Sequence, residues 1–392
     1  MNILFDLYTP QCQIGGAGEY IRKVFYTLVE YIRKYQSDII VYALIDSSSG
    51  KYAYQDLTPE SLSHNGINIA DINGLTLKQL IDDYSIDKVF IGCAQYWGAS
   101  FDVANILVPC ICVVHDLCEE DYNDSHVPEL LKLPWRWYEF NRKRVGWYKR
   151  RFLGQWKDPL FQMKSIMDMA NVNNKVQFIV VSEYTKASFA YHFNYPIDRI
   201  KVLYSCPRIT VEKEEIEDST LKETVASGKK YYLFLSANRE LKNPAHMFKA
   251  FCRFVECGNS DSFLVTTGCK MKMFENHIPL GYLNDNDLAQ VMRHCYALLF
   301  PTFMEGFGYP PIEAMGYGKP VLCSNVTSVP EICGDAAIYF SPLYESDIFR
   351  ALSVLSSSNY DEYVAKSKAR FRQVSERQNA DLKELIEMIL EK

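Results

Sequence analysis

The 392-residue sequence has no Cys-x-x-Cys pair and no apolar run near the ~20 residues of a membrane span. The first absence removes the usual framework of a structural zinc site. The second excludes a membrane-crossing helix from the reading. Positive charge is not in excess either. Lys and Arg number 42 against 48 Asp and Glu, and a net charge of −6 argues against a nucleic-acid binder. No secretory signal pattern opens the chain, since Met1-Asn2 leads directly into Ile3-Leu4-Phe5. A cytoplasmic location is therefore expected. There the 12 cysteines, scattered and often inside apolar runs, would stay reduced.

What is present reads as globular: 48% hydrophobic and 23% charged residues, on a length that suggests two domains. Apolar runs at 2–7, 38–45, 86–91, 110–117, 176–181 and 198–204 predict strands, with helices from about Glu19, at 76–84 and at 182–192. Alternating strand and helix predict an α/β fold with parallel, doubly wound sheets. Gly15-Gly16-Ala17-Gly18 forms a glycine turn between the first strand and its helix, where backbone can approach a phosphate. His115-Asp116 stands at the carboxyl end of the 110–117 run, where ligands of such sheets bind. Residues 207–230 start at Pro207, are rich in glutamate and hold no apolar period, so the domain boundary is placed there.

Residues 118–170 break this rhythm. Four of the five tryptophans (Trp135, Trp137, Trp147, Trp156) fall inside, together with Arg136, Arg142, Lys143, Arg144, Lys149, Arg150 and Arg151. Peripheral membrane contact through 132–157 and acceptor binding are both expectations for this aromatic and basic insertion. An ordinary helical insertion with solvated charges is the alternative.

A second domain opens with a strand at 231–236, followed by Arg239 and Lys242 ahead of a helix from about Pro244. Two cations at a strand's carboxyl end could neutralise a diphosphate. Further strands are expected at 262–267 and 296–300, and helices at 285–294, 343–355 and 360–390. Asp285-Asn286-Asp287 is a triplet that could hold a divalent metal. It opens an amphipathic helix, where Asp is favoured as a cap, so it is read as a cap and no metal is expected.

The most informative stretch is 303–334, FMEGFGYPPIEAMGYGKPVLCSNVTSVPEICG. Glu305 and Glu313 stand eight residues apart, with Gly306, Gly308 and Pro310-Pro311 between them. An apolar run enters, a helix at about 311–317 leaves, and a strand at 320–323 follows. Proline suits a first helical turn, whose free N–H groups attract an anion. Glu313 is expected to project from that turn. One anion site flanked by two hydroxyl-seeking carboxylates suits a nucleotide-sugar.

This stretch resembles the retaining glycosyltransferases of family 4, whose Glu-x7-Glu hallmark is matched by Glu305 and Glu313. GGAGEYI at 15–21, VVHDL at 113–117, VSEYTK at 181–186 and LSANRELKNP at 235–244 look like further family motifs, in family order. The chain departs from the pattern at Ser205-Cys206-Pro207, where many relatives carry Asn-Gly, and at Glu19, where a basic residue is frequent.

The resemblance implies the GT-B fold, two Rossmann-like domains facing a central cleft. Residues 1–206 would be the acceptor-side domain, 207–365 the nucleotide-sugar-binding domain, and 366–392 a helix crossing back to the first. It implies a hexosyltransferase of polysaccharide biosynthesis that takes a UDP- or GDP-sugar. The acceptor would be a glycan or lipid-linked hydroxyl, and the reaction would keep anomeric configuration and need neither metal nor cofactor. Glu313 would bind ribose hydroxyls and Glu305 donor-sugar hydroxyls. Backbone amides of Gly306, Phe307, Gly308 and Tyr309 would address sugar and phosphate. Arg239 and Lys242 would grip the diphosphate, Gly16 and Gly18 would close over it, and His115 would touch the transferred sugar. The rival readings are a nucleotide-sugar-binding subunit without transfer activity, and an epimerase or phosphorylase of the same fold.

Overall fold

Seven short, mostly buried runs of the first 206 residues pair as one parallel sheet in a computed structural model that describes residues 1–12, 15–35, 38–104, 106–118, 121, 159–208 and 215–391. They are β1 (Asn2–Asp6), β2 (Ile40–Ile45), β3 (Asn68–Asp71), β4 (Lys88–Ile91), β5 (Cys110–Val114), β6 (Val176–Val180) and β7 (Ile200–Val202). Their order is β3-β2-β1-β4-β5-β6-β7. Every residue of β4 and β5 is buried, as expected for strands covered on both faces. Helix α1 (Gly16–Tyr35) lays its stripe of Ile21, Val24, Phe25, Leu28 and Val29 into the core.

The second sheet is parallel as well, in the order β10-β9-β8-β11-β12-β13. Its strands are β8 (Lys230–Phe234), β9 (Ser262–Thr266), β10 (His277–Pro279), β11 (Ala297–Phe300), β12 (Val321–Ser324) and β13 (Ala337–Phe340). Helices α2 (Pro244–Glu256), α3 (Asp285–His294) and α4 (Tyr309–Gly316) belong to it. The last helix, α5, runs unbroken over Tyr360–Leu390. The two compact units are Met1–Val181 with Thr185–Cys206 and Leu382–Lys392, and Ser182–Tyr184 with Pro207–Asp381.

Several elements differ from the sequence reading. β3, β10 and β13 are strands of three or four residues that no apolar alternation announces. Residues 207–230 are not all linker: Ser219–Ala226 is helical, with Asp218 capping it by accepting from Leu221 N at 2.8 Å. That helix buries Leu221 and Thr224, too few positions for a visible period. The triplet at 285–287 does not supply the cap of α3, because Asn284 does, accepting from Asp287 N at 2.7 Å. Asp287 instead accepts from the backbone amides of Glu217 (3.0 Å) and Asp218 (2.7 Å). Of the aromatic and basic insertion, 119–120 and 122–158 lie outside the described residues, and so does the membrane contact expected at 132–157. Among the described residues no helix is long and apolar enough to cross a membrane.

The end of α5 shows how the first unit holds its C-terminal residues. Lys88, at the start of β4, donates from Nζ to the carbonyls of Met388 (3.0 Å) and Glu391. A cation there satisfies orphan carbonyls and meets the negative end of the helix dipole. Burial pushes the Lys88 ammonium below its ordinary pKa. Leu385, Ile386 and Ile389 of the same segment are at most 1% exposed. Ile389→Ala is expected to cost about 2–5 kcal/mol, read as a lower urea midpoint for the first unit's transition.

Candidate functional site

In each sheet the strand order reverses once, and ligands of such sheets bind outside the carboxyl ends at that point. In the second unit the reversal lies between β8 and β11. The loop after β8 carries Arg239 and Lys242, and the loop after β11 carries Glu305. The structure joins these loops. Phe303 N donates to Leu241 O at 2.8 Å, and the Lys242 ammonium forms an ion pair with Glu305 Oε1. Thr302 Oγ1 lies 3.1 Å from the same carboxylate oxygen. The Lys242 ammonium also sits 5.0 Å from the centroid of the Phe300 ring. With the Lys242 and Glu305 side chains 16% and 15% exposed, this pair is largely withdrawn from water and screened less than a surface pair.

Arg239 does not join it. The residue is exposed, precedes the short turn Glu240–Lys242 without a side-chain capping bond, and pairs with no carboxylate among the described residues. Asn243 follows in the left-handed conformation (φ 59°) and starts α2, so the chain turns sharply behind Lys242.

The loop from Glu305 to Tyr309 is held by its backbone. Glu305 N donates to Thr327 Oγ1 at 3.1 Å. Ser328 Oγ reaches the carbonyls of Glu305 (3.0 Å) and Phe307 (3.2 Å). Gly308 then takes φ 92°, ψ 62° as the N-cap of α4. The helix starts at Tyr309, two residues before the predicted 311, so Glu313 lies one turn inside it and not in its first turn. It stays at the surface of the helix, where Arg208 Nη1 meets Glu313 Oε1 at 3.2 Å and the Arg208 guanidinium covers the Tyr309 ring at 4.6 Å. Sequence reading missed Arg208. The only local signal was the departure from Asn-Gly just ahead of it.

The first unit has its own reversal, between β1 and β4. Asp6 ends β1 and Gly92 follows β4. Asp6 is fully buried and accepts from Thr9 N (2.9 Å), Thr9 Oγ1 (2.8 Å) and Gly92 N (3.0 Å). Burial raises its pKa, and these donors work in the opposite direction. The Gly92 carbonyl lies 2.8 Å from His115 Nε2. A carbonyl only accepts, so Nε2 carries the proton and Nδ1 is the acceptor of the neutral ring. Burial lowers the His115 pKa, which keeps that ring neutral at pH 7. A Cβ on Gly92 would stand 2.4 Å from Ile21, so only glycine fits. Gly16 and Gly18, expected in a loop before about Glu19, instead form the first turn of α1.

Two parallel Rossmann-like sheets in one chain define the GT-B class of fold. The chain aligns over 99% of its length with the structure of Anabaena Alr3699/HepE in complex with UDP and glucose, with a TM-score of 0.66, 14% identity and 99% of that chain covered. Residues 215–342 match the family Glycosyl transferases group 1. Among curated proteins it is similar to the O-antigen chain mannosyltransferase B of Escherichia coli, 28% identical over 179 residues, 42% of this chain and 47% of that one. It is also similar to the serotype-specific mannosyltransferase WbdA of Escherichia coli, 23% identical over 380 residues, 90% of this chain and 43% of that one. The matches thus span about half the length of these relatives, or less.

The loop geometry has a direct test. Gly308→Ala has room, the nearest atom being Phe300 Cε1 at 3.8 Å, but forces a side chain into positive φ. It is expected to cost about 1–2 kcal/mol, read by thermal unfolding, with Gly308→Asn costing less because Asn tolerates that region.

Proposed function

We propose that this chain is a retaining glycosyltransferase of the family-4 type. It would move a hexosyl unit from a UDP- or GDP-sugar to a hydroxyl of a glycan or lipid-linked acceptor, without a metal. The observation that carries the reading is the Lys242–Glu305 pair at the second unit's strand reversal, one loop ahead of α4 and Glu313. The names of the relatives, mannosyltransferases of which one is named for an O-antigen chain, and the UDP and glucose of the HepE complex support the donor and acceptor classes.

Departure of a nucleoside diphosphate builds negative charge, and stabilising that charge is the main catalytic need. Lys242, the exposed Arg239 and the N–H groups from Gly306 to Tyr309 at the start of α4 supply it. Glu305 then binds sugar hydroxyls, and Glu313 binds those of the ribose. In the first unit, His115 offers Nδ1 to a sugar hydroxyl, and the first turn of α1 offers the Gly16 and Gly18 amides to phosphate. The acceptor attacks on the face the diphosphate leaves, and the diphosphate takes its proton. Asp285 and Asp287 have no part in this.

A thermal-shift panel of UDP, GDP and their sugars tests it, since a ligand at a hundredfold excess over Kd stabilises by ~2.7 kcal/mol. One nucleobase should raise the melting temperature with chelator present. No shift with any of them, or a shift only with added manganese, contradicts the reading.

A further inference from the structure

Arg208 belongs to no motif of the sequence, yet it is paired with Glu313. It stands just after Pro207 in the Pro207–Asp381 segment of the second unit, and two of its contacts place the guanidinium. Nη1 lies 3.2 Å from Glu313 Oε1, and the guanidinium carbon lies 4.6 Å from the centre of the Tyr309 ring. Tyr309 and Glu313 are four residues apart on α4 and so share a face, which one planar guanidinium spans. A guanidinium can stack on an aromatic ring and pair with a carboxylate at once, whereas an ammonium is a point charge without a plane to stack. The side chains of Arg208 and Glu313 are 26% and 20% exposed, so the pair is shielded without being sealed. A carboxylate offers about four acceptor positions. Engagement of Oε1 by Arg208 therefore fixes the rotamer of Glu313 and leaves it able to accept from hydroxyls.

We propose that Arg208 is a positioning residue for the nucleoside. It orients Glu313 toward a ribose, so that discrimination between a ribonucleoside diphosphate and its 2′-deoxy counterpart depends on Arg208. This rests on the nucleotide-sugar reading of the same site. A residue that only supports the fold would weaken both nucleotides alike, so the 2′-hydroxyl is the probe that separates the two roles.

The test is titration calorimetry of the full chain, wild type, Arg208→Ala and Arg208→Lys, with UDP, GDP, dUDP and dGDP. Thermal unfolding of each variant checks the fold. For the preferred base, the wild type should lose roughly tenfold in affinity on removal of the 2′-hydroxyl. In Arg208→Ala that penalty should fall to about threefold or less, with Arg208→Lys between the two because it keeps the charge and loses the stack. An unchanged penalty in both variants overturns the role of Arg208 while leaving the nucleotide reading intact. A wild type indifferent to the 2′-hydroxyl overturns it as well. A wild type that binds neither UDP nor GDP overturns the nucleotide-sugar reading, and this inference with it.

Discussion

The Lys242–Glu305 ion pair is the contact on which the second unit's site depends. It ties two loops 63 residues apart in sequence at the one place where the strand order turns back. Other features accompany it where the loops close together. Phe303 bonds to Leu241, Asn243 turns left-handed behind the lysine, and Gly308 turns left-handed ahead of α4. A pair so withdrawn from water contributes little net stability, since desolvation offsets most of the attraction. What it fixes is geometry: a cation and a carboxylate held at the mouth of the sheet.

That balance has a functional consequence. A pair close to break-even can be opened by a ligand that offers a better partner to each half. On the proposed function, a diphosphate takes Lys242 and sugar hydroxyls take Glu305. The Arg208–Glu313 pair on the face of α4 works differently, because a carboxylate held at Oε1 keeps acceptor positions for hydroxyls and the pair need not open. The first unit uses a different device, a buried backbone relay in which Asp6 holds the Gly92 amide and the Gly92 carbonyl holds His115. No charge need be released there, because the imidazole stays neutral.

Much of this was legible in the sequence. Long apolar runs marked the central strands, and Glu305 and Arg239-Lys242 fell in loops after strands because polar residues collect there. What stayed hidden shares one cause, contact between residues distant in sequence. The Lys242–Glu305 pair could not be read from either loop, and neither could Arg208 over Tyr309. The relay through Gly92 depends on a backbone carbonyl, which no side-chain pattern reveals. The helix boundaries at Gly16 and Tyr309 were misjudged because the glycines read as a turn and Pro311 read as the first helical residue, whereas the helix takes in Tyr309 and Pro310 ahead of it. Strands of three or four residues such as β10 and β13 carry too few positions for alternation to register.

The measurement that bears most directly on this account is the affinity of Glu305→Gln for UDP and GDP beside that of the wild type. If Glu305 and a diphosphate compete for Lys242, removing the carboxylate's charge frees the lysine. The variant then binds the preferred nucleoside diphosphate as tightly as the wild type, or tighter, while losing transfer. A fall in that affinity in Glu305→Gln, comparable to the fall in Lys242→Ala, would contradict the account.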